Sequence, residues 1–281
     1  MRLTTVRTAD GTFAARVEAD HVVQLAWTDL SDLLSQPRWR ELAAADGRQH
    51  SVNDVDLATL LPFPDKIICL GLNYESHILE MGRSRPEYPT LFAKYRSALI
   101  GPNDAVQLPS VSQAMDWEVE LGVVIGTSGR YISEADALDH VAGYTIVNDV
   151  TARDWQKRTL QFLSGKTFEG TTPVGPVLVT PDELPAGGLG LSVRCEIDGE
   201  MMQDGNTSDL CFSPAATIAY ISQIITLLPG DLIATGTPGG VGDGRDPKIS
   251  LRPGSVMRTT IDGIGELLNE CQTSPLGPVS G

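Results

Sequence analysis

The sequence predicts a β-dominated α+β fold and not a doubly wound parallel sheet. Short apolar runs rich in β-branched residues recur along the chain, and turn-forming Gly, Pro, Asn and Asp residues separate them. Helical patterns are few, and the clearest is at 213–228, where Ser213-Pro214 gives an N-cap followed by a proline at the first helical position. Strands therefore outnumber helices, and the helices are too few to cover both faces of a parallel sheet.

A small β-rich N-terminal domain is predicted for residues 1–64. Two strands meet at a hairpin turn around Asp10-Gly11, a third strand follows, and a short helical stretch lies at about 29–46. The segment Leu61-Pro62-Phe63-Pro64 places two prolines within three residues and marks the boundary. A larger domain then occupies residues 65–281, and its tail from about residue 272 is predicted to be flexible.

The larger domain begins with a strand of the buried type at 66–71, which a short helical turn follows. The next loop, residues 83–89, is rich in Arg and Pro and has no apolar anchor except Tyr88, so we predict a mobile lid. Thr151 and Asp154 have the spacing of a capping box, which predicts that a helix starts there. Further strands are predicted at 118–125, 144–149, 173–203 and 231–235, and on both sides of Asp262-Gly263.

Composition limits the class of partner. The chain has 281 residues, a formal net charge of −15 and a pI near 4.6, which argues against nucleic acid and anionic membranes as partners. The four cysteines are far apart in sequence and form no CxxC pair, and no run of 18 apolar residues occurs. We therefore expect a soluble protein of the reducing cytoplasm.

Three acidic residues are candidates for a metal site. Glu118 and Glu120 alternate on a predicted strand, so their carboxylates point to the same face. Two carboxylates that close repel unless a cation lies between them, although a solvated strand face would give the same pattern. Asp149, at the end of another strand, would complete an oxygen cluster of the kind that suits Mg²⁺, Mn²⁺ or Ca²⁺ better than Zn²⁺.

A possible general base stands apart from this cluster. His77 and Glu80 are three positions apart on the predicted helical turn, so Glu80 could orient the imidazole and raise its basicity. A solvated surface pair is the alternative. Lys166 and Arg153 are the nearest cations to the carboxylates in sequence. Gly165-Lys166-Thr167 is not a P-loop, because Gln161 stands where the first glycine is required.

Taken together, these segments resemble the fumarylacetoacetate hydrolase family. Five motifs occur in the family's order between about residues 65 and 240: Gly71-Leu72-Asn73-Tyr74 with His77-x-x-Glu80, Asp116-x-Glu118-x-Glu120-Leu121, Asn148-Asp149-Val150-Thr151-Ala152-Arg153-Asp154, Gly165-Lys166-Thr167-Phe168, and Pro229-Gly230-Asp231 with Thr235-Gly236-Thr237-Pro238. The resemblance implies a mixed β-roll catalytic domain that forms a homodimer. It also implies Mg²⁺ or Mn²⁺, with Ca²⁺ as a non-native occupant, on the three carboxylates.

The resemblance further implies roles for the remaining residues. In the family's acylpyruvate hydrolases, the residues matching His77 and Glu80 ride on a lid and activate a water that attacks C4 of a 2,4-diketo acid. The lysine matching Lys166 helps to stabilise the leaving pyruvate enolate. Three further residues are expected to bind the small anionic 2-oxo acid substrate or to position the closed lid over it: Arg153, Gln156 and Thr237.

The first hypothesis is therefore metal-dependent C–C hydrolysis of acylpyruvates, with fumarylpyruvate or a similar intermediate of aromatic catabolism as substrate. A second hypothesis keeps the site and changes the reaction to oxaloacetate decarboxylation or keto–enol isomerisation, because both need the same enolate but no attacking water. A third is a metal-stabilised binding module without turnover.

Overall fold

The computed structural model describes residues 1–80, 82 and 84–275, except the side chains of His77 and Glu80. Six α-helices occur within these residues: α1 (Leu30–Leu34), α2 (Trp39–Ala43), α3 (Glu75–Glu80), α4 (Arg153–Gln156), α5 (Leu163–Lys166) and α6 (Pro214–Ile224). The strands of the same residues are β1 (Arg2–Thr8), β2 (Gly11–Val17), β3 (His21–Gln24), β4 (Gln49–Ser51), β5 (Asp56–Leu57), β6 (Ile67–Gly71), β7 (Thr90–Ala93), β8 (Leu99–Ile100), β9 (Val106–Leu108), β10 (Met115–Asp116), β11 (Val119–Ile125), β12 (Val141–Asn148), β13 (Thr151–Ala152), β14 (Thr172–Val179), β15 (Ser192–Ile197), β16 (Glu200–Asn206), β17 (Leu232–Ala234), β18 (Val256–Ile261) and β19 (Gly265–Thr273).

The largest sheet is mixed and runs in the order β4-β3-β2-β1-β14-β12-β11-β17-β6-β7, with β5 beside β1 and β8 beside β14. The pair β17–β6 is parallel, whereas β11 is antiparallel to both of its neighbours. The N-terminal strands share this sheet with the rest of the chain, because β1 pairs with β14 through Arg2↔Val179 and Leu3↔Leu178. The predicted fold class, a strand-dominated α+β chain with mixed sheets, is confirmed. The domain boundary after residue 64 stays a prediction.

The two central strands, β11 and β12, are buried along their whole length. Successive side chains of a strand point to opposite faces, so Val119, Leu121 and Val123 enter one hydrophobic cluster while Val124 enters another. Both faces of the sheet are therefore covered at this point. Glu120 belongs to the same alternation as Val124, in surroundings where water cannot solvate a charge.

A second sheet, in the order β16-β15-β18-β19-β9, covers one face of the central strands. Polar bonds tie the two sheets together at the level of the acidic residues. The Asn148 amide donates to Thr259 Oγ1 at 2.9 Å, and the Val119 N–H donates to Gln203 Oε1 at 3.0 Å. These buried bonds fix the register of β11 and β12 against the second sheet.

Local predictions met with mixed results. The hairpin between β1 and β2 is confirmed, and so is the Ser213 cap, whose hydroxyl accepts from the Ala216 N–H, although α6 ends at Ile224 and not near residue 228. The capping box at Thr151 is wrong. Thr151 pairs with Asp116 in a two-stranded bridge, and its hydroxyl donates to the Asp149 carbonyl at 2.8 Å, so it does not cap α4.

Among the described residues, no helix combines the length and the apolar character that crossing a membrane requires. All four cysteines are free thiols.

Candidate metal and enolate site

The structure brings Glu118, Glu120 and Asp149 together at the ends of the two central strands. Glu118 directly precedes β11, and Asp149 directly follows β12. The Val119↔Asn148 register places these two residues side by side, and the Asp149 N–H donates to the Glu118 carbonyl at 2.9 Å. One carboxylate oxygen from each of the three residues lies within 4.8 Å of the others, and all three residues are buried. A solvated strand face, the alternative for the two glutamates, is therefore wrong.

Two lysines neutralise Asp149 from opposite sides. Lys166 Nζ lies 2.6 Å from Asp149 Oδ2 and 2.5 Å from Glu118 Oε2, and Lys94 Nζ lies 2.5 Å from Asp149 Oδ1. Burial alone would raise the pKa of Asp149, but the two ammonium groups outweigh burial and lower this pKa to about 2. Burial likewise opposes the charge of Lys166, yet the Asp149 and Glu118 carboxylates raise its pKa and keep it protonated.

Arg153 supplies a third cation at the edge of the cluster. Its Nη2 lies 2.6 Å from Glu118 Oε1, and its Nε donates to Asp116 Oδ2 at 2.8 Å. Asp116 also accepts the backbone N–H groups of Trp117, Gly242 and Asp243. Both Asp116 oxygens are thus occupied by hydrogen bonds, so Asp116 supports the cluster by holding Arg153 and the backbone around it.

Glu120 has the least electrostatic compensation in the cluster. Its Oε2 accepts the Gly236 N–H at 2.8 Å, and no ion pair joins it to a cationic side chain of the described residues. Gly236 has a φ of +93°, a conformation that glycine adopts without strain. Burial, with the Asp149 and Glu118 charges, raises the pKa of Glu120 well above its ordinary range. A charged Glu120 therefore needs a cation that the described side chains do not supply.

A divalent metal fits this requirement. Four buried carboxylates, counting Asp116, face three cationic side chains, which leaves one uncompensated negative charge. The three carboxylates supply hard oxygen donors, which are the ligands that Mg²⁺ and Mn²⁺ prefer. Glu118, Glu120 and Asp149 would hold the ion, and the loaded site would then carry one net positive charge, which suits an anionic substrate.

A cavity of about 410 Å³ opens onto this cluster. The predicted substrate residues Arg153, Gln156 and Thr237 all line it. The Thr237 hydroxyl donates to the Val119 carbonyl and accepts from the Gln203 amide, so it is held in place at the cavity wall. The other lining residues are Leu70, Gly71, Leu72, Phe92, Glu118, Glu120, Lys157, Thr159, Leu160, Phe162, Lys166 and Asp243.

Gly165 explains how α5 delivers Lys166 to the cluster. A Cβ at this position would lie 2.5 Å from the Gln156 backbone nitrogen, so only glycine lets α5 approach α4 this closely. The approach places Lys166 and Gln156, both predicted from sequence, on one wall of the cavity.

The segment that carries His77 and Glu80 is held at its base. The Asn73 side chain donates to the Phe212 and Thr235 carbonyls at 3.0 and 2.8 Å. The Ser76 N–H and hydroxyl both donate to Asp209 Oδ2, at 3.0 and 2.5 Å. The side chains of His77 and Glu80 lie outside the described residues, so their predicted role as a base and its orienting partner stays a prediction.

Comparison with known proteins identifies the relatives of this chain. Residues 66–272 match the model of the fumarylacetoacetate (FAA) hydrolase C-terminal family. The chain belongs to the fumarylacetoacetate hydrolase family. It is 44% identical over 231 residues to a mitochondrial oxaloacetate tautomerase of Xenopus laevis, a match that covers 81% of this chain and 72% of that protein. A human mitochondrial oxaloacetate tautomerase is 46% identical over 209 residues, which cover 74% of this chain and 66% of the human protein.

Solved structures of the family share the fold along almost the whole chain. A fumarylacetoacetate hydrolase of Exiguobacterium antarcticum superposes with a TM-score of 0.87 at 34% identity, and the match covers 97% of this chain and 99% of the other. A 5-carboxymethyl-2-hydroxymuconate delta-isomerase of Mycobacterium smegmatis gives a TM-score of 0.81 at 31% identity, with 98% and 100% covered. Family membership, predicted from five motifs, is confirmed, and the chain is a hydrolase- or isomerase-type member.

Lys94 is the residue of the cluster that sequence reasoning missed. It follows an apolar strand, β7, and its Nζ also donates to the Val150 carbonyl at 3.3 Å. β7 is only half-buried, so nothing in the local sequence marks the lysine that follows it as a member of a buried cluster.

Proposed function

We propose that this chain is a metal-dependent enzyme that interconverts the keto and enol forms of oxaloacetate or a closely similar 2-oxo acid. The observation that carries the proposal is the buried triad of Glu118, Glu120 and Asp149 with the Lys166 ammonium directly beside it. The oxaloacetate tautomerases among the relatives support the choice of substrate. This reaction needs an enolate-stabilising site, which the described residues supply, and no water-activating base.

Different residues of the site have different proposed roles in metal binding, enolate stabilisation and substrate binding. Glu118, Glu120 and Asp149 would hold Mg²⁺ or Mn²⁺, and the ion supplies Lewis-acid polarisation of the substrate's carboxylate and 2-oxo oxygens. Lys166 stays protonated in a buried site and donates hydrogen bonds toward the 2-oxo oxygen, which gains negative charge when C3 loses a proton. In the keto-to-enol direction the C3 proton passes to solvent water that enters the cavity, and water returns a proton to the enolate oxygen; the reverse direction uses the same transfers. Fixed, buried donors of this kind stabilise developing charge without reorganising during the reaction. Thr237 and Gln156 shape the cavity in which the acid is held.

Metal identity, location and assembly belong to the same proposal. We take Mg²⁺ as the working metal, Mn²⁺ as its substitute and Ca²⁺ as a non-native occupant. A cytoplasmic homodimer remains the proposed state of this chain, while two of its relatives are named as mitochondrial proteins.

A second candidate is hydrolysis of acylpyruvates such as fumarylpyruvate to pyruvate and a carboxylic acid. The observation that favours it is His77-x-x-Glu80 on α3, a helix whose start is fastened beside the cavity by the Ser76–Asp209 bonds. In this reaction His77, oriented by Glu80, deprotonates water. Lys166 has the same role in both reactions.

His77→Ala separates the two reactions. We expect it to lower pyruvate release from a panel of acylpyruvates by roughly 10²–10⁴, the contribution of one general base. We expect the loss of enol absorbance of oxaloacetate to stay within about threefold of the parent rate, because that step uses Lys166 and the metal.

The outcomes discriminate clearly. If Mg²⁺-loaded parent protein changes neither substrate, the catalytic proposal falls, and a binding module without turnover becomes the better account. If His77→Ala slows both reactions equally, the division of roles between the helix and the cluster is wrong. Decarboxylation of oxaloacetate is followed in the same assay as pyruvate released from that substrate.

A further inference from the structure

One cation of the cavity is not bound to the carboxylate cluster. Among the described residues that line the cavity, Arg153, Lys157 and Lys166 are basic. The side chains of Arg153 and Lys166 are 10% and 3% exposed and are committed to the cluster, whereas that of Lys157 is 53% exposed. Lys157 is therefore accessible to a ligand that enters from solvent.

Lys157 shares its acidic partner with a second lysine. Its Nζ lies 2.7 and 2.6 Å from the two oxygens of Asp243, and Lys248 Nζ lies 2.7 Å from Asp243 Oδ1. Two ammonium groups on one carboxylate leave a surplus positive charge at the cavity rim, in a chain whose net charge is −15. When Lys157 turns toward a ligand, Lys248 keeps Asp243 compensated.

The rim lies one helical turn from the cluster. Arg153 begins α4 and Lys157 is its C-cap, four positions later. Residues with this spacing lie on the same face of a helical turn, with their Cβ atoms about 5–6 Å apart. The Asp243 N–H donates at 3.0 Å to Asp116 Oδ2, the same oxygen that accepts from Arg153. An extended chain spans roughly 3.5 Å for every three bonds, so a five-carbon oxo acid is about 5 Å long, close to the Cβ separation of Arg153 and Lys157.

We propose that Lys157 binds the distal carboxylate of a dicarboxylic 2-oxo acid and so selects dicarboxylic over monocarboxylic substrates. This inference rests on the proposed function, because it takes the 2-oxo acid end of the ligand to bind at the carboxylate cluster. Lys157 then acts as a specificity residue at the far end of the cavity, away from the bonds that change.

A matched pair of ligands tests this directly. 2-Oxoglutarate and 2-oxopentanoate differ only in a terminal carboxylate against a methyl group. Titration calorimetry on the full-length, Mg²⁺-loaded protein should show about tenfold tighter binding of 2-oxoglutarate, the size of one charge-assisted hydrogen bond of about 1.4 kcal/mol. Lys157→Met should remove that preference and leave the affinity for 2-oxopentanoate unchanged.

Two further variants exclude indirect explanations. Arg158→Met removes an equal charge from the next residue, whose guanidinium stacks 3.5 Å from the Trp155 ring centroid. Arg158 is not among the cavity residues, so this variant should keep the preference for 2-oxoglutarate. Asp243→Asn removes the competitor for Lys157 and should tighten 2-oxoglutarate binding further, by about threefold.

The proposal is overturned if the parent does not distinguish the two acids, or if Lys157→Met retains the preference, or if Arg158→Met loses it equally. These results are independent of turnover. A protein that binds 2-oxoglutarate through Lys157 but changes no oxo acid contradicts the proposed activity alone. A protein that turns over oxaloacetate with no effect of Lys157→Met on binding contradicts only the role of Lys157.

Discussion

The carboxylate cluster and the segment of residues 75–89 differ in how the fold holds them. Lys94 follows β7, Glu118 and Asp149 flank the central strands, and Lys166 ends α5, so the cluster draws on several distant elements. Its members are almost fully buried. The described residues of the 75–89 segment contact the body through the buried Ile78, the Ser76–Asp209 bonds, Arg85 and the Tyr88–Tyr220 ring contact, while Leu79 and Tyr88 are 68% and 61% exposed.

Under the proposed function, this difference assigns substrate binding to the cluster and the choice of reaction to the segment. Rearranging a buried network of charges costs much free energy, because each unpaired charge would lose its partner. The cluster therefore suits the step that all the proposed reactions share, the stabilisation of an enolate. A segment with few contacts can change position or composition without disturbing the fold. Replacements in the cluster should therefore change stability and metal binding, whereas replacements that loosen the segment should change turnover alone.

The largest expected effect is on stability, from Lys94→Met. Asp149 would keep Lys166 as a partner, but the buried cluster as a whole would gain a second uncompensated negative charge, which should lower the free energy of unfolding by about 3–5 kcal/mol in urea titrations. Lys248→Met, at an exposed lysine, should stay within about 0.5 kcal/mol. The double variant Lys94→Met with Asp149→Asn should recover part of the loss. An unchanged Lys94→Met would show that the cluster is less tightly coupled than its geometry indicates.

Lys166→Met should act mainly on the reaction. Loss of one buried donor to the enolate oxygen should lower kcat for oxaloacetate tautomerisation by roughly 10²–10³. Because Lys166 no longer competes for Glu118 Oε2 and Asp149 Oδ2, the variant should also bind Mn²⁺ more tightly in calorimetry. A variant with parental kcat would remove Lys166 from the mechanism.

Asp209→Ala tests the other side of the comparison. It removes the acceptor of the Ser76 N–H and hydroxyl, so the start of α3 should be held less firmly, by about 1 kcal/mol. Acylpyruvate hydrolysis should fall about fivefold, which corresponds to that 1 kcal/mol, while Mn²⁺ affinity stays unchanged and the free energy of unfolding falls by no more than about 1 kcal/mol. Asp204→Ala, which removes an exposed partner of Arg194, is the control and should have no effect. A loss of metal binding in Asp209→Ala would contradict the separation of the two parts.

The smallest expected effect is a gain in stability. Glu120→Gln keeps the acceptor for the Gly236 N–H and removes a buried charge, so metal-free protein at pH 7 should melt about 2–4 °C higher. The folded-state pKa of Glu120 lies above its ordinary value of 4.5, so the parent loses stability as pH rises from 4.5 through the raised pKa. The advantage of the variant should therefore shrink toward pH 4.5. Added Mg²⁺ should stabilise the parent more than the variant.

Those parts of the site that follow from local rules could be predicted from the sequence. Strand alternation placed the side chains of Glu118 and Glu120 together, and the position of Asp149 at the end of a strand suggested a third oxygen donor. Neither rule could show that all three are buried, because burial depends on the second sheet. Lys166 was predicted because it stands in a motif of the family.

Lys94 and Thr151 show where local rules end. Lys94 lies 55 positions from Asp149, and only the order of strands in the large sheet brings them together. Thr151 has the residue type and spacing of a helix cap, but pairing with Asp116 and the nearby Asp149 carbonyl outcompete that use. In both cases a long-range partner decides the outcome, and one sequence carries no signal for it.

The pairing of β1 with β14 has a consequence for how the chain is made. Thr4 donates to the Pro176 carbonyl across 172 positions, so β1 completes its pairing only after β14 has been synthesised. At about 5–20 residues per second, this delay is roughly 9–34 s. During that time the hairpin of β1 and β2 has an open edge, which nascent-chain partners such as chaperones could occupy. The β1–β14 pair is thus completed well after the β1–β2 hairpin, although β17, which pairs with β6 and β11, is made later still.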